Sequence, residues 1–175
     1  MNPLILWGGT DINPKLYGEE PLPTTQRPDE ERDNRELKQI YVSIYSGQPI
    51  IGICRGAQLL CSANGGKLHQ HRPEHSGNLS SHSIVIYDLN GVKKEIIDSV
   101  AASHHQIMIP GGKYIILGRC AFDDMPEIVY WPRTRCLGIQ PHPEWMNKDH
   151  PFNLYLKDLC ESLFGITNVL TLFGV

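Results

Sequence analysis

The sequence predicts an α/β fold: a three-layer domain with a mostly parallel central sheet flanked by helices, and an extra antiparallel portion. Two observations carry this expectation. Early in the chain, apolar runs that end in glycine are each followed by a helical pattern, the strand–helix–strand–helix order that builds a parallel sheet. From residue 83 onward, short strand candidates follow one another through turns with little helix between them.

Taken in order, Leu4 to Trp7 is an apolar run stopped by Gly8-Gly9 and reads as a buried strand. The polar, proline-rich stretch "TDINPKLYGEEPLPTTQRPDE" reads as a long surface loop, a kind of segment that tends to be functional. A helix follows, because Leu37, Ile40, Tyr41, Ile44 and Tyr45 fall on one face of a 3.6-residue period. Asp29, Glu30 and Glu31 suit its positive N-terminal end, and Gly47 can close it in a left-handed conformation. Pro49 introduces "IIGI", a second buried strand. After Cys54, the residues Ala57, Leu60 and Cys61 share a helical face until Asn64-Gly65-Gly66. "SIVIYDLNG", "KYIILGRC", "EIVYW" and "CLGIQ" are the later strand candidates. Phe152, Leu156, Leu159 and Leu163 mark a final amphipathic helix, ahead of the apolar tail "VLTLFGV".

The 175 residues fit one domain, 1–175, with no internal repeat or linker. A net charge of −3 leaves no electrostatic footprint for nucleic acid or an anionic membrane. No apolar run is long enough to span a bilayer, and "MNPLILWGGTD" lacks the basic region and cleavage site of a signal peptide. Five cysteines, an odd number with no C-x-x-C spacing, argue against a disulfide framework or a zinc ribbon. They suit a reducing compartment, so a cytoplasmic location is expected.

"IIGICRGAQLL" places a cysteine between two glycines at a strand-to-helix turn. G-x-[nucleophile]-x-G has a mechanical reading there. The turn is sharp and strained, it exposes the Cys54 side chain, and Gly52 and Gly56 are small because larger residues would clash. The backbone N–H of Arg55 can face a developing oxyanion, and the start of the helix favours thiolate over thiol. The Arg55 side chain has two readings, a fork for a substrate carboxylate or a structural role, covering the helix or pairing with a surface acid. A thiol nucleophile needs a base, and the base needs an orienting acceptor. "LGIQPHPEW" offers both. His142 and Glu144 are two apart, so in an extended segment they point to the same side, and the carboxylate can hold the imidazole tautomer.

With these residues in this order, the chain resembles the class I glutamine amidotransferase-like family, which has a flavodoxin-like fold. The nearer match is the branch of gamma-glutamyl-gamma-aminobutyrate hydrolases and gamma-glutamyl hydrolases. The resemblance rests on "WGGTDINPKLYGEE", "ERDNREL", "PIIGICRGAQLL", "GGKLHQH", "SHHQ" and "GIQPHPEW", spread over positions 7 to 145. It implies Cys54 as nucleophile, His142 as base and acid, and Glu144 as its orienter. It further implies an oxyanion hole from the N–H groups of Gly9 and Arg55. Gly8, Gln58, Ser103, His104 and His105 would bind a small gamma-glutamyl substrate. The implied reaction is hydrolysis of a gamma-glutamyl amide through a glutamyl thioester, with no cofactor and no metal. Family members carry a further strand–helix–strand unit ahead of the glycine turn. Without it the sheet has a different edge, which the apolar tail or a second copy in a homo-oligomer is expected to cover.

Other readings compete with this one. A cysteine-based α/β-hydrolase of the dienelactone type shares the elbow, but there the acid precedes the histidine. A metal site is conceivable where His69, His71, His75 and His82 crowd one loop and His104-His105 lie further on, with Glu74 as a contributor. The blander reading of that loop is a solvated polar segment beside the active site. A synthetase partner receiving ammonia, and a binding or regulatory protein that has lost catalysis, complete the alternatives.

Overall fold

The computed structural model describes residues 2–75 and 81–175. Its elements run β1 (Leu4–Leu6), α1 (Glu30–Ser46), β2 (Ile50–Ile53), α2 (Arg55–Ala63), β3 (Lys67–His69), β4 (Ser81–Tyr87) and β5 (Lys93–Ala101). They continue with β6 (Ile107–Ile109), β7 (Ile115–Cys120), β8 (Pro126–Trp131), β9 (Cys136–Ile139), α3 (Pro151–Phe164) and α4 (Val169–Phe173). The central sheet has the order β1-β2-β9-β8-β7-β4-β5, while β3 and β6 form a small separate ribbon. The pairings β1–β2 and β2–β9 are parallel, and the four from β9 outward to β5 are antiparallel. Strands β1, β2, β9, β7 and β5 thus point one way, β8 and β4 the other. The expected α/β architecture and its antiparallel portion are both present.

Burial explains the apolar runs. Ile51 and Ile53 face one side with Leu137, Ile139 and Ile128, against Phe152 and Leu156 of α3 and Val169 and Phe173 of α4. Ile50, Cys136, Val129 and Trp131 face the other side, against Ile40 of α1 and Ala57, Leu60 and Cys61 of α2. A strand covered on both faces reads as a continuous apolar run, which is why "IIGI" and "CLGI" do not alternate with polar residues.

Four features depart from the expectations. In α1 the buried face carries Asp33, Glu36, Ile40 and Ser43, while Tyr41 and Tyr45 are exposed, Tyr45 at 96%. The buried stripe is turned toward two carboxylates because a buried cation awaits them. The long loop after β1 holds a 3-10 turn, Pro14–Tyr17, with the Asn13 side chain accepting from the Lys15 N–H. Strand β5 escaped the sequence pattern because "KKEIIDSVA" is mostly exposed and charged, as suits an edge strand. The apolar tail does not line the edge of β1. It forms α4 and packs into the face beneath α3, and among the described residues nothing pairs with the outer side of β1.

The elbow is held to a tight crossing of β1 and α2, since a Cβ on Gly56 would overlap the carbonyl of Leu6. Backbone cannot yield as a flexible side chain would. Gly56→Ala should therefore destabilise the protein by about 1–3 kcal/mol, read as a lowered denaturation midpoint at unchanged slope.

Candidate active site

Cys54 occupies the residue between β2 and α2, with φ 50° and ψ −108°. Such a conformation costs a non-glycine residue about 1–3 kcal/mol and persists only where its surroundings impose it. They do so here. The Cys54 N–H donates to the Ile139 carbonyl at 2.7 Å, and the Cys54 carbonyl accepts from the Gln58 N–H at 3.1 Å. Strand β9 thus fixes the entry to the turn and α2 its exit.

The next residue, Arg55, is fully buried, and its guanidinium pairs with Asp33 and Glu36 of α1. Arg32 joins the network, donating to Glu36 at 2.7 Å and to the carbonyls of Trp7 and Gly8 at 2.9 and 3.2 Å. Asp33 also accepts from the Asn13 N–H at 2.9 Å. The Arg55 side chain thus pairs with acids, but with buried ones of α1 rather than the expected surface acid. It cannot double as a substrate fork, because it is fully buried with both terminal nitrogens on these carboxylates.

His142 follows β9 at the same end of the sheet. Its Nδ1 lies 2.7 Å from Glu144 Oε1, its N–H donates to the Ala101 carbonyl at 2.9 Å, and its ring stacks on Trp145 at 3.7 Å. The pair is not presented by an extended segment, as spacing alone suggested. Pro143–Trp145 form a 3-10 turn led by Pro143, and that turn folds Glu144 back onto the ring. With Nδ1 facing a carboxylate, Nε2 is the nitrogen left for proton exchange. Gly8 brings the two halves together: a Cβ built on it would lie 3.0 Å from His142 Cε1 and 3.6 Å from Cys54 Cβ.

A small cleft of about 60 Å³ opens over the thiol, enough for roughly two waters. Gly9, Gln58, Ser103, His104, His105 and Gln106 line it, together with Asp11 and Gln26, which the sequence did not single out. The Gln58 amide donates to the Gln106 carbonyl at 3.2 Å. Asp11 accepts from the Gln26 N–H at 2.8 Å and lies 3.0 Å from His105 Nε2. Asp11 was hard to find because its only local signal is a position two residues after a glycine turn.

Burial pushes the Cys54 thiol up to about 12, reinforced by the carboxylates of Glu144, Glu127 and Asp11 and only partly opposed by the Arg55 N–H. Loss of solvation thus works against the helix start, which favours the thiolate. A thiol held up in this way loses its proton during attack.

The histidine-rich loop is also not simply solvated. His69 and His71 are at the surface, but His75 and His82 are buried with His104 around Glu127 of β8. Residues 76–80 of that loop lie outside the described residues.

With this geometry in view, the chain was compared with known proteins. The family model described as Peptidase C26 matches residues 1–144. A Mycobacterium tuberculosis protein provisionally named a glutamine amidotransferase is 33% identical over 156 residues, 82% of this chain and 51% of that protein. A Lactococcus lactis protein provisionally named glutamine amidotransferase-like is 29% identical over 153 residues, 81% of this chain and 65% of its own length. The chain thus spans half to two thirds of these curated relatives. A solved Thermoplasma acidophilum structure, provisionally described as part of a GMP synthase, superposes with a TM-score of 0.59 at 18% identity. The match covers 95% of this chain and 73% of that one, and shows a shared fold. No helix among the described residues is long and apolar enough to cross a membrane.

Two outcomes are expected. Arg55→Met leaves Asp33 as a buried carboxylate without its cation and Glu36 with Arg32 alone, and should cost about 3–5 kcal/mol in a denaturant titration. Iodoacetamide should alkylate Cys54 with a rate that rises about tenfold per pH unit from pH 7 to 9, without a plateau, because the thiolate fraction is small throughout. Peptide mapping after timed quenching reads this rate, and a plateau near neutral pH would reveal a resting thiolate instead.

Proposed function

The chain belongs to the peptidase C26 family, and on that premise we propose that it hydrolyses gamma-glutamyl amide bonds, of glutamine or of a gamma-glutamyl amine, through a thioester on Cys54. The observation that carries the reading is the strained Cys54 elbow set against the His142–Glu144 pair at one end of the parallel strands. That is where α/β sheets present their chemistry.

In this reading each residue has one role. Sγ of Cys54 attacks the amide carbonyl carbon while Nε2 of His142 takes the thiol proton, so no free thiolate has to exist beforehand. Glu144 holds Nδ1 and balances the imidazolium that forms. The carbonyl oxygen becomes an oxyanion, received by the backbone N–H groups of Gly9 and Arg55. The C–N bond then breaks as the imidazolium gives its proton to the leaving nitrogen. Water adds to the thioester with His142 again as base, glutamate leaves, and the sulfur recovers its proton. Gln58, Ser103, His104 and His105 form the wall that receives the glutamyl head, with Gly8 keeping the space between the reacting groups open.

A second reading has one observation in its favour: a structure of the same fold is described as part of a synthase. In that version the amine released is ammonia, and a separate synthetase receives it.

Incubation with a glutamine-derived diazoketone, followed by intact-mass analysis and peptide mapping, tests the proposal. One adduct on Cys54, suppressed by excess glutamine and lost in Cys54→Ala, is the expected result. His142→Ala should slow both labelling and amide turnover a hundredfold or more. Labelling scattered over all five cysteines, or turnover that survives Cys54→Ala, would overturn it.

A further inference from the structure

Behind the wall that carries Ser103 and His105 lies a second constellation, which shares only His104 with the cleft. His75, at the end of a 3-10 turn, His82 of β4, His104 and Glu127 of β8 are buried, with Glu127 and His75 wholly inaccessible. Each offers one ligand atom, and these atoms lie within 4.8 Å of one another. The distances from the carboxylate are 3.5 Å to His75 Nδ1, 3.2 Å to His82 Nε2 and 3.7 Å to His104 Nε2. Ligands about 2.1 Å from a tetrahedral zinc ion stand roughly 3.4 Å apart, which the three carboxylate-to-ring distances match.

Hydrogen bonding separates the two sides of these rings. The outward nitrogens of His75 and His104 are satisfied, His75 Nε2 at 2.9 Å from Asp123 and His104 Nδ1 at 3.1 Å from the Gln106 carbonyl, whereas His82 has no hydrogen bond at either nitrogen. Those that face inward, with both oxygens of Glu127, make no hydrogen bond of acceptable geometry. A buried carboxylate without a hydrogen bond is costly, and nearly all buried polar groups find a partner. Imidazoles whose outer N–H is held by a carboxylate or a carbonyl are tautomerically fixed with the inner lone pair presented, the arrangement that surrounds protein-bound zinc. Phe122 closes the cluster from outside, its ring 5.0 Å from that of His75.

We propose that His75, His82, His104 and Glu127 form a binding site for one divalent cation of the zinc class, held structurally behind the active site. Four protein ligands and no access make it a closed site, so its role is to fasten rather than to catalyse. Three neutral imidazoles, Glu127 and the outer carboxylate of Asp123 balance a doubly charged ion. The ion would tie the turn at His75 to β4, β8 and the segment Ser103–Gln106. That segment is the wall over Cys54, with the Ser103 carbonyl 4.0 Å from its sulfur. The inference does not depend on the reaction proposed for Cys54.

Untagged protein, purified without chelator, is analysed for metal by plasma mass spectrometry, then stripped and titrated with zinc and with cobalt(II). About one equivalent of tightly held metal per chain, visible cobalt bands of tetrahedral intensity and a higher melting temperature with metal are expected. Asp123→Asn, which removes the negative charge at the outer partner of His75, should weaken zinc about 10–100-fold. His82→Gln and Glu127→Gln should abolish stoichiometric uptake, while the surface variant His69→Ala should bind as the parent does. Should the two ligand variants fail to fold, parent protein and Asp123→Asn decide the matter. Parent protein that takes up no zinc, gives no cobalt bands and melts alike with and without metal overturns the proposal. So does binding that persists in His82→Gln and Glu127→Gln.

Discussion

The site depends first on a charge that never reaches solvent. Arg55 begins the helix behind the cysteine, and its guanidinium is clasped by two carboxylates from α1, one of which is shared with Arg32. Arg32 in turn grips the carbonyls of the glycine turn, and Asp33 holds the backbone of Asn13. One network therefore joins the elbow, the turn bearing Gly8 and Gly9, and the start of the long loop. Buried ion pairs add little net stability compared with apolar packing, but they discriminate sharply against wrong arrangements, because a half-made pair leaves a bare charge. In this fold that selectivity is spent on geometry: the carbonyls that Arg32 holds belong to the residues flanking the cleft.

This network also explains what could and could not be read from the chain. The elbow was legible because its constraints are local: two glycines, a cysteine and an apolar strand stand in one short stretch. The His142–Glu144 pair was legible for the same reason, although its turn was mistaken for extended chain. Helix α1 was found, yet its inner face was misjudged, since periodicity counts Tyr41 and Tyr45 as core and Asp33 and Glu36 as surface. Only knowledge of a buried Arg55 reverses that assignment. Glu127 was invisible in the same way: a lone acid within "EIVYW" carries no sign that three histidines from elsewhere converge on it.

Strand β9 has a double duty. It pairs with β2 on one side, which lets Ile139 receive the Cys54 N–H, and with β8 on the other, whose carbonyl at Glu127 receives the N–H of Gln140. The parallel portion thus carries Cys54 and His142, and the antiparallel portion supplies the buried histidine cluster and, through Ala101, the anchor of His142. The extension is not an ornament on the sheet but the rear support of the cleft.

Gly8 has a consequence for how lineages of this fold lose activity. A single methyl group there would meet the His142 ring closely enough that the ring has to give way by a few tenths of an ångström. Small displacements of reacting groups are expensive in rate. Cysteine, histidine and glutamate can therefore all survive in a descendant whose chemistry has been extinguished from the opposite wall. Surveys that sort such sequences into working and retired enzymes by the three reactive side chains alone would misfile it, and the glycine turn belongs among the diagnostic positions.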